Sequence, residues 1–187
     1  MPDVLILTGP PGSGKSSAAQ ALASRYDRVA HIRVDQLDEF IAPTGHVHPW
    51  GKPEVWRHQR RLDIRNACCI ALNFLAERFA VIVDDTLTTA EEATWYRDGL
   101  RDAGVPVHLI RLLPRLEVCL QRNAGRDSRE RMRPSHVETA YRQVEALQMP
   151  GAPTIDNSQM SPDVTADRLQ ALTTSGESIV WPASTEA

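Results

Sequence analysis

A chain of 187 residues, 42% hydrophobic and 24% charged, is long enough to bury a real core and has the balance of a globular domain, which excludes disordered and fibrous classes. A formal net charge of −3 gives no overall attraction to nucleic acid or anionic lipid, so any polyanion has to be held by a local patch. Cys68, Cys69 and Cys119 make neither a disulfide framework nor a zinc-site spacing, and the chain shows no basic-then-apolar leader or apolar run near about eighteen residues, so a cytoplasmic protein with no membrane partner is expected.

The first element is the apolar run 3–8, DVLILT, which reads as a buried strand. It runs into Gly9-Pro10-Pro11-Gly12-Ser13-Gly14-Lys15-Ser16, followed by Ser17 and a helical period over 15–25. Glycines weaken a strand and prolines remove donors, so this turn serves the backbone and not a core. Its spacing is that of a phosphate-binding loop between a strand and a helix. There the backbone N–H groups form an anion nest, the helix dipole adds positive charge, Lys15 reaches the β- and γ-phosphates, and the Ser16 hydroxyl ligates Mg²⁺. The expected ligands are ATP and Mg²⁺.

A second strand over 29–35 ends at Asp35, and a long loop over 41–53 follows, with His46, His48 and Trp50 in it. Loops of that length in a compact domain carry function, and this one is placed over the acceptor. A helix is predicted over about 54–78, either internal or shared in a homodimer. The third strand, 79–86, ends in Asp84 and Asp85. A carboxylate at a strand end beside the phosphate loop supports the Mg²⁺ shell, and one on the acceptor side takes the proton of an attacking hydroxyl. Asp35 is assigned the second role and Asp84 and Asp85 the first, with turn-capping as the alternative for all three.

Further on, Thr89 with Glu92 and Ser135 with Glu138 fit capping boxes at the starts of helices over 89–103 and 134–148. Gly99 and Gly104 read as turn residues. A fourth strand over 106–113 leads to a helix over 114–124. Arg122, Arg126, Arg129, Arg131 and Arg133 then form a basic stretch that reads as a lid over 125–134, and Arg122 and Arg126 are the arginines assigned to the phosphates. A short strand at 153–156 precedes Ser161-Pro162, an N-cap with proline at the first helical position of 161–173. The alternation of strand and helix predicts one three-layer α/β domain over 1–176 with ligands at the carboxyl ends of the strands. Residues 177–187 are expected to be a loose tail.

Assembled, these residues resemble the small P-loop kinases that phosphorylate hydroxyl groups, in particular chloramphenicol phosphotransferase and the kinase domain of polynucleotide 5′-kinases. The resemblance spans about 3–160. It rests on the phosphate loop, on VDQL around Asp35, on VIVDD ending in Asp84 and Asp85, and on Asp85-Thr86 with Arg122-Asn123-Ala124-Gly125-Arg126. It implies a five-stranded parallel sheet with the phosphate-loop strand in the centre, Asp35 as general base, Arg122 against the nucleotide and Arg126 as the lid arginine facing the transferred phosphate. Asp38 stands where polynucleotide kinases place an arginine for a nucleic-acid phosphate, within the acidic DQLDEF. The resemblance therefore points to a small-molecule hydroxyl acceptor, with polynucleotide 5′-phosphorylation and a nucleotide-binding or toxin-like regulator as the alternatives.

Overall fold

The computed structural model describes residues 3–41, 51–128 and 130–183. The loop residues His46, His48 and Trp50, and Arg129 of the basic stretch, lie outside the described residues.

Strand β1 (Val4–Thr8) is buried along its whole length because it sits between two parallel neighbours. Its alternation sorts the core into two halves. Val4 and Ile6 face one hydrophobic cluster, and Leu5 and Leu7 face another on the opposite side of the sheet. Burying each such side chain contributes about 1.5–3 kcal/mol, so the strand is held from both faces. Around it run β2 (Val29–Arg33), β3 (Ala80–Asp85), β4 (Val107–Leu112) and β5 (Thr154–Ile155), in the order β2-β3-β1-β4-β5, all parallel.

The α1 helix (Lys15–Ala23) and α6 (Pro162–Ser175) cover the face carrying Leu5, Leu7 and Ile82. The opposite face, carrying Ile6, Val81, Val83 and Leu109, is covered by α2 (Pro53–Ala76) and α3 (Ala90–Gly99). A 3₁₀ helix, Val34–Phe40, continues directly from β2, and α4 (Leu116–Ala124) and α5 (Pro134–Ala146) bracket the basic stretch. Because β1 has a later strand on each side, the order reverses at its carboxyl end. That crevice is where α/β sheets bind ligands, and the phosphate loop opens into it.

The structure departs from the sequence reading in four places. A sixth strand, β6 (Ile179–Trp181), lies within the stretch expected to be a loose tail; it pairs antiparallel with β4 at Val107 and His108, on the edge that β5 occupies farther along. The buried His108 holds its approach, its Nδ1 being 2.9 Å from Ser178 Oγ. The capping box at Ser135 is absent: α5 begins at Pro134, with Arg133, two residues before Ser135, as an N-cap that makes no side-chain bond. Proline's fixed φ starts that helix without a cap. The Thr89–Glu92 box forms with both of its bonds, and Ser161 accepts from the Val164 amide. The helix expected to continue to 103 stops at Gly99, which is a packing residue: a Cβ there would lie 2.7 Å from Cys68 Sγ on α2, so the glycine lets α2 and α3 approach. Gly104, with φ of +67°, is the turn residue.

Candidate active site

The phosphate loop is shaped by what glycine leaves out. A Cβ on Gly9 would lie 2.3 Å from the Leu112 carbonyl oxygen, and one on Gly12, at φ of +80°, would lie 2.3 Å from that of Cys119. The loop is therefore pressed against the end of β4 and the middle of α4, and only glycine allows that approach. The start of α1 carries no side-chain cap and no acidic residue in its first turn, whereas α3 has a full capping box and two glutamates. The orphan N–H groups and positive dipole end of α1 are left for an anion.

The Lys15 Nζ donates to the carbonyl oxygens of Gly9 (2.8 Å) and Pro10 (3.2 Å). Burial holds its ammonium below the usual lysine pKa, with Arg126 acting in the same direction and Asp84, Asp85 and Asp35 opposing. The lysine thus feels most of the groups that the sequence assigns to catalysis. Ser17, the residue after the motif, sits on the exposed side of α1 and lines the neighbouring cavity.

The two aspartates that end β3 separate by strand parity. Asp84 shares the side of Ile82, toward α1, and Asp85 the side of Val81 and Val83, toward α2 and α3. Asp84 is buried, and its Oδ2 has no hydrogen-bond partner although His31 Nε2, also without one, is 3.6 Å away. Burial pushes the Asp84 carboxyl up, but His31, the Lys15 charge and the Ser16 hydroxyl outweigh it and hold it below the ordinary aspartate value. An ionised, buried carboxylate oxygen without a donor, next to a serine hydroxyl at a phosphate loop, is a hard-oxygen set that fits Mg²⁺.

Asp85, also assigned to the metal from the sequence, has no such vacancy. Its Oδ2 accepts from Arg60 (2.7 Å) and from the Tyr96 hydroxyl (2.6 Å), and its Oδ1 accepts from the Thr86 amide (2.8 Å). Arg60 also donates through Nε to Glu92 (3.0 Å), itself a capping-box member. Arg60, Asp85, Glu92 and Tyr96 are all buried. The four form a satisfied polar network that ties β3 to α2 and α3.

On the other flank, Asp35 lies in the first turn of the 3₁₀ helix, with its side chain 68% exposed and 3.2 Å from Arg33 Nη2. Its carboxylate is open to solvent. Asp38, one turn on, accepts from Gln59 Nε2 (3.1 Å) and faces the buried Asp63 of α2. Burial and the Asp38 charge push the Asp63 carboxyl up to about 7.

The basic stretch is anchored at both ends. Arg122 Nη1 donates to the Ser13 carbonyl (3.1 Å) and its Nη2 to that of Asn157 (3.0 Å), while Asn157 Nδ2 also donates to Ser13 O (2.9 Å). Asn123 closes the stretch by exchanging two hydrogen bonds with the Met132 backbone (2.8 and 3.1 Å). Arg122, Arg126, Asn157, Met160 and Thr165 line, with Gly12 and Gly14, a cavity of about 320 Å³ beside the phosphate loop. Asn157 and Arg60 were missed in the sequence because each works through partners distant along the chain.

Residues 4–150 match the family described as an AAA domain. No curated protein matches the chain. Among solved structures, the chain is similar to a sugar kinase from Janibacter sp. (21% identity, 91% of this chain and 92% of that one, TM-score 0.68). It is also similar to the tunicamycin resistance protein of Deinococcus radiodurans (19%, 97% and 100%, TM-score 0.63) and to a gluconokinase from Sinorhizobium meliloti (21%, 94% and 94%, TM-score 0.60). At these identities the likeness is one of fold.

Proposed function

The chain belongs to the AAA-domain family, and from that premise we propose that it is an ATP-dependent kinase that moves the γ-phosphoryl group to a hydroxyl of a small molecule. The observation that carries this reading is the field at Lys15: the phosphate-loop lysine is acted on by Asp84, by Asp35 and by Arg126. The groups assigned to the phosphate side and to the acceptor side thus all act on the charge of one ammonium, set in a loop whose close approach to β4 and α4 only glycine permits.

In this reading the loop amides and Lys15 hold the triphosphate, and Ser16 and Asp84 hold Mg²⁺, which when bound neutralises phosphate charge. The cavity lined by Arg122 and Asn157 takes the nucleoside end. Asp35 orients the acceptor hydroxyl and receives its proton as that oxygen bonds to the γ-phosphorus and the bond to the ADP oxygen breaks. Arg126 offers its guanidinium to the transferring group. The acidic 3₁₀ helix, with Asp35, Asp38 and Glu39, disfavours a polyanionic acceptor and supports an uncharged one. The sugar kinase and gluconokinase that share the fold are named for small-molecule acceptors, which agrees with this choice.

The test is a panel of hydroxyl compounds assayed for ADP release above the background ATPase, with Lys15→Ala alongside. Acceptor-dependent release that vanishes in the variant is the expected result. Tight binding of labelled oligonucleotide at low salt, with 5′-phosphorylation, would replace the small-molecule acceptor by a nucleic acid.

A further inference from the structure

The last turn of α4 runs on past its end: the Gly125 amide donates to the Gln121 carbonyl and the Arg126 amide to that of Asn123, each at 3.2 Å. Arg126 therefore leaves the helix in a set direction, and its side chain lines the cavity beside the phosphate loop together with Arg122. What α4 cannot fix is how the chain returns to α5 at Pro134. That return is fixed by the side chain of Asn123, which is only 3% exposed. Its Nδ2 donates to the Met132 carbonyl (2.8 Å), and its Oδ1 accepts from the Met132 amide (3.1 Å). One carboxamide thus meets both polar groups of one backbone residue, much as a neighbouring strand would, and both would be costly to leave unpaired away from water. Inside the closed stretch the Arg131 amide donates to the Asp127 carbonyl (3.0 Å), and Arg131 Nη2 donates to the Arg126 carbonyl (3.0 Å). The Arg131 side chain is exposed, so the buried Asn123 is the stronger tie.

We infer that Asn123 is a positioning residue: by clamping the Met132 backbone it fixes the return of the arginine stretch and so holds the Arg126 guanidinium toward the transferring phosphoryl group. The role of Arg126 comes from the kinase reading above, whereas the clamp is independent of it. A stretch released at its base samples many conformations, and a reacting group displaced by about 1 Å loses much of its effect on the rate. Nucleotide binding is spared, because Arg122 and Asn157 reach the phosphate loop through bonds of their own.

The experiment compares the full chain with Asn123→Leu, which removes both bonds at nearly constant volume, and Asn123→Ala, which removes them together with the volume. Amide hydrogen exchange is followed on the empty proteins, Mg·ATP affinity by calorimetry, and turnover on an acceptor found by the panel. In both variants the Met132 amide is expected to exchange at least about tenfold faster, with the amides of α5 beyond its first turn unchanged. Turnover is expected to fall about tenfold to a hundredfold while ATP affinity stays within about twofold of the parent. A merely structural role would lower the melting temperature and leave the turnover of the folded protein unaltered; that result, or unchanged exchange at Met132, overturns the assignment while the kinase reading stands. Equal losses of affinity and turnover also overturn it, since Asn123 would then support Arg122 and the nucleotide. A parent chain that takes up no purine triphosphate overturns the kinase reading and the positioning role with it, and the exchange data still decide whether Asn123 closes the stretch.

Discussion

The two flanks of the crevice at the carboxyl end of β1 are built to different standards. On the phosphate flank, Lys15, Arg122 and Asn157 are held by backbone carbonyls, and among the described residues Ser13 Oγ, His31 Nε2, Asp84 Oδ2 and Asn157 Oδ1 are buried without a hydrogen-bond partner. On the flank assigned to the acceptor, Asp35 is 68% exposed and, among the described residues, pairs with the partly exposed Arg33, an arrangement worth well under about 1 kcal/mol. In the proposed reading, one flank is preorganised for the triphosphate, and the other leaves Asp35 to be organised by whatever acceptor arrives. Preorganisation concentrates where the ligand is invariant, and exposure remains where the ligand sets specificity.

That contrast breaks in measurable ways. The largest effect is expected from Arg126→Ala, which should cost about 10³ to 10⁵ in turnover on an acceptor found by the panel, because in the proposed reading its guanidinium acts on the transition state. A loss below about tenfold would remove Arg126 from the reacting groups. Asp35→Ala should cost about 10² to 10⁴ in turnover with ATP affinity retained, because an exposed base contributes to proton transfer and not to the nucleotide site. Unchanged turnover would show that the acceptor flank is organised around another group. Arg60→Ala should destabilise the fold by about 3–5 kcal/mol in urea unfolding, the size of a buried pair left with one charge uncompensated.

The smallest effect is one of pH and belongs to the acceptor flank. Asp63 is pushed up to about 7 in the folded chain by burial and by the Asp38 charge, whereas an unfolded aspartate titrates near about 4. Between those values the folded state binds the extra proton, so this group's contribution to stability is present below about pH 4, declines as pH rises to about 7, and is flat above. Urea unfolding at pH 5 and 7.5 should show about 2 kcal/mol of loss from this source, and Asp63→Asn should abolish that part of the difference. An unaltered pH dependence in the variant would place the proton elsewhere.

Most of the scaffold was readable in the sequence, because parallel strands buried on both faces carry dense Val, Ile and Leu, and because the phosphate loop is a backbone motif whose glycines are visible at fixed spacing. The division of labour between Asp84 and Asp85 was not read, although strand parity contained the signal: adjacent residues face opposite layers, and only one layer holds the lysine. What parity does not supply is the partner. Arg60 comes from the helix after β2, and Tyr96 from the helix after β3, at separations no local pattern encodes. The same holds for β6, whose three residues have no period of their own and owe their conformation to the open edge of β4. Ser135 lost its capping role to its neighbour Pro134, a competition between two local signals that the sequence displays without ranking.

The close approach of α2 and α3 at Gly99 has a consequence for thiol chemistry. Cys68 is sealed beneath that contact and its thiol is pushed up to about 12 by burial, while Cys69, the next residue, looks outward into solvent. A thiolate-seeking reagent therefore meets one sulfur at once and the other only after the two helices part. The adjacent pair carries its own clock for the opening of that side of the molecule, with the outer sulfur marking time zero.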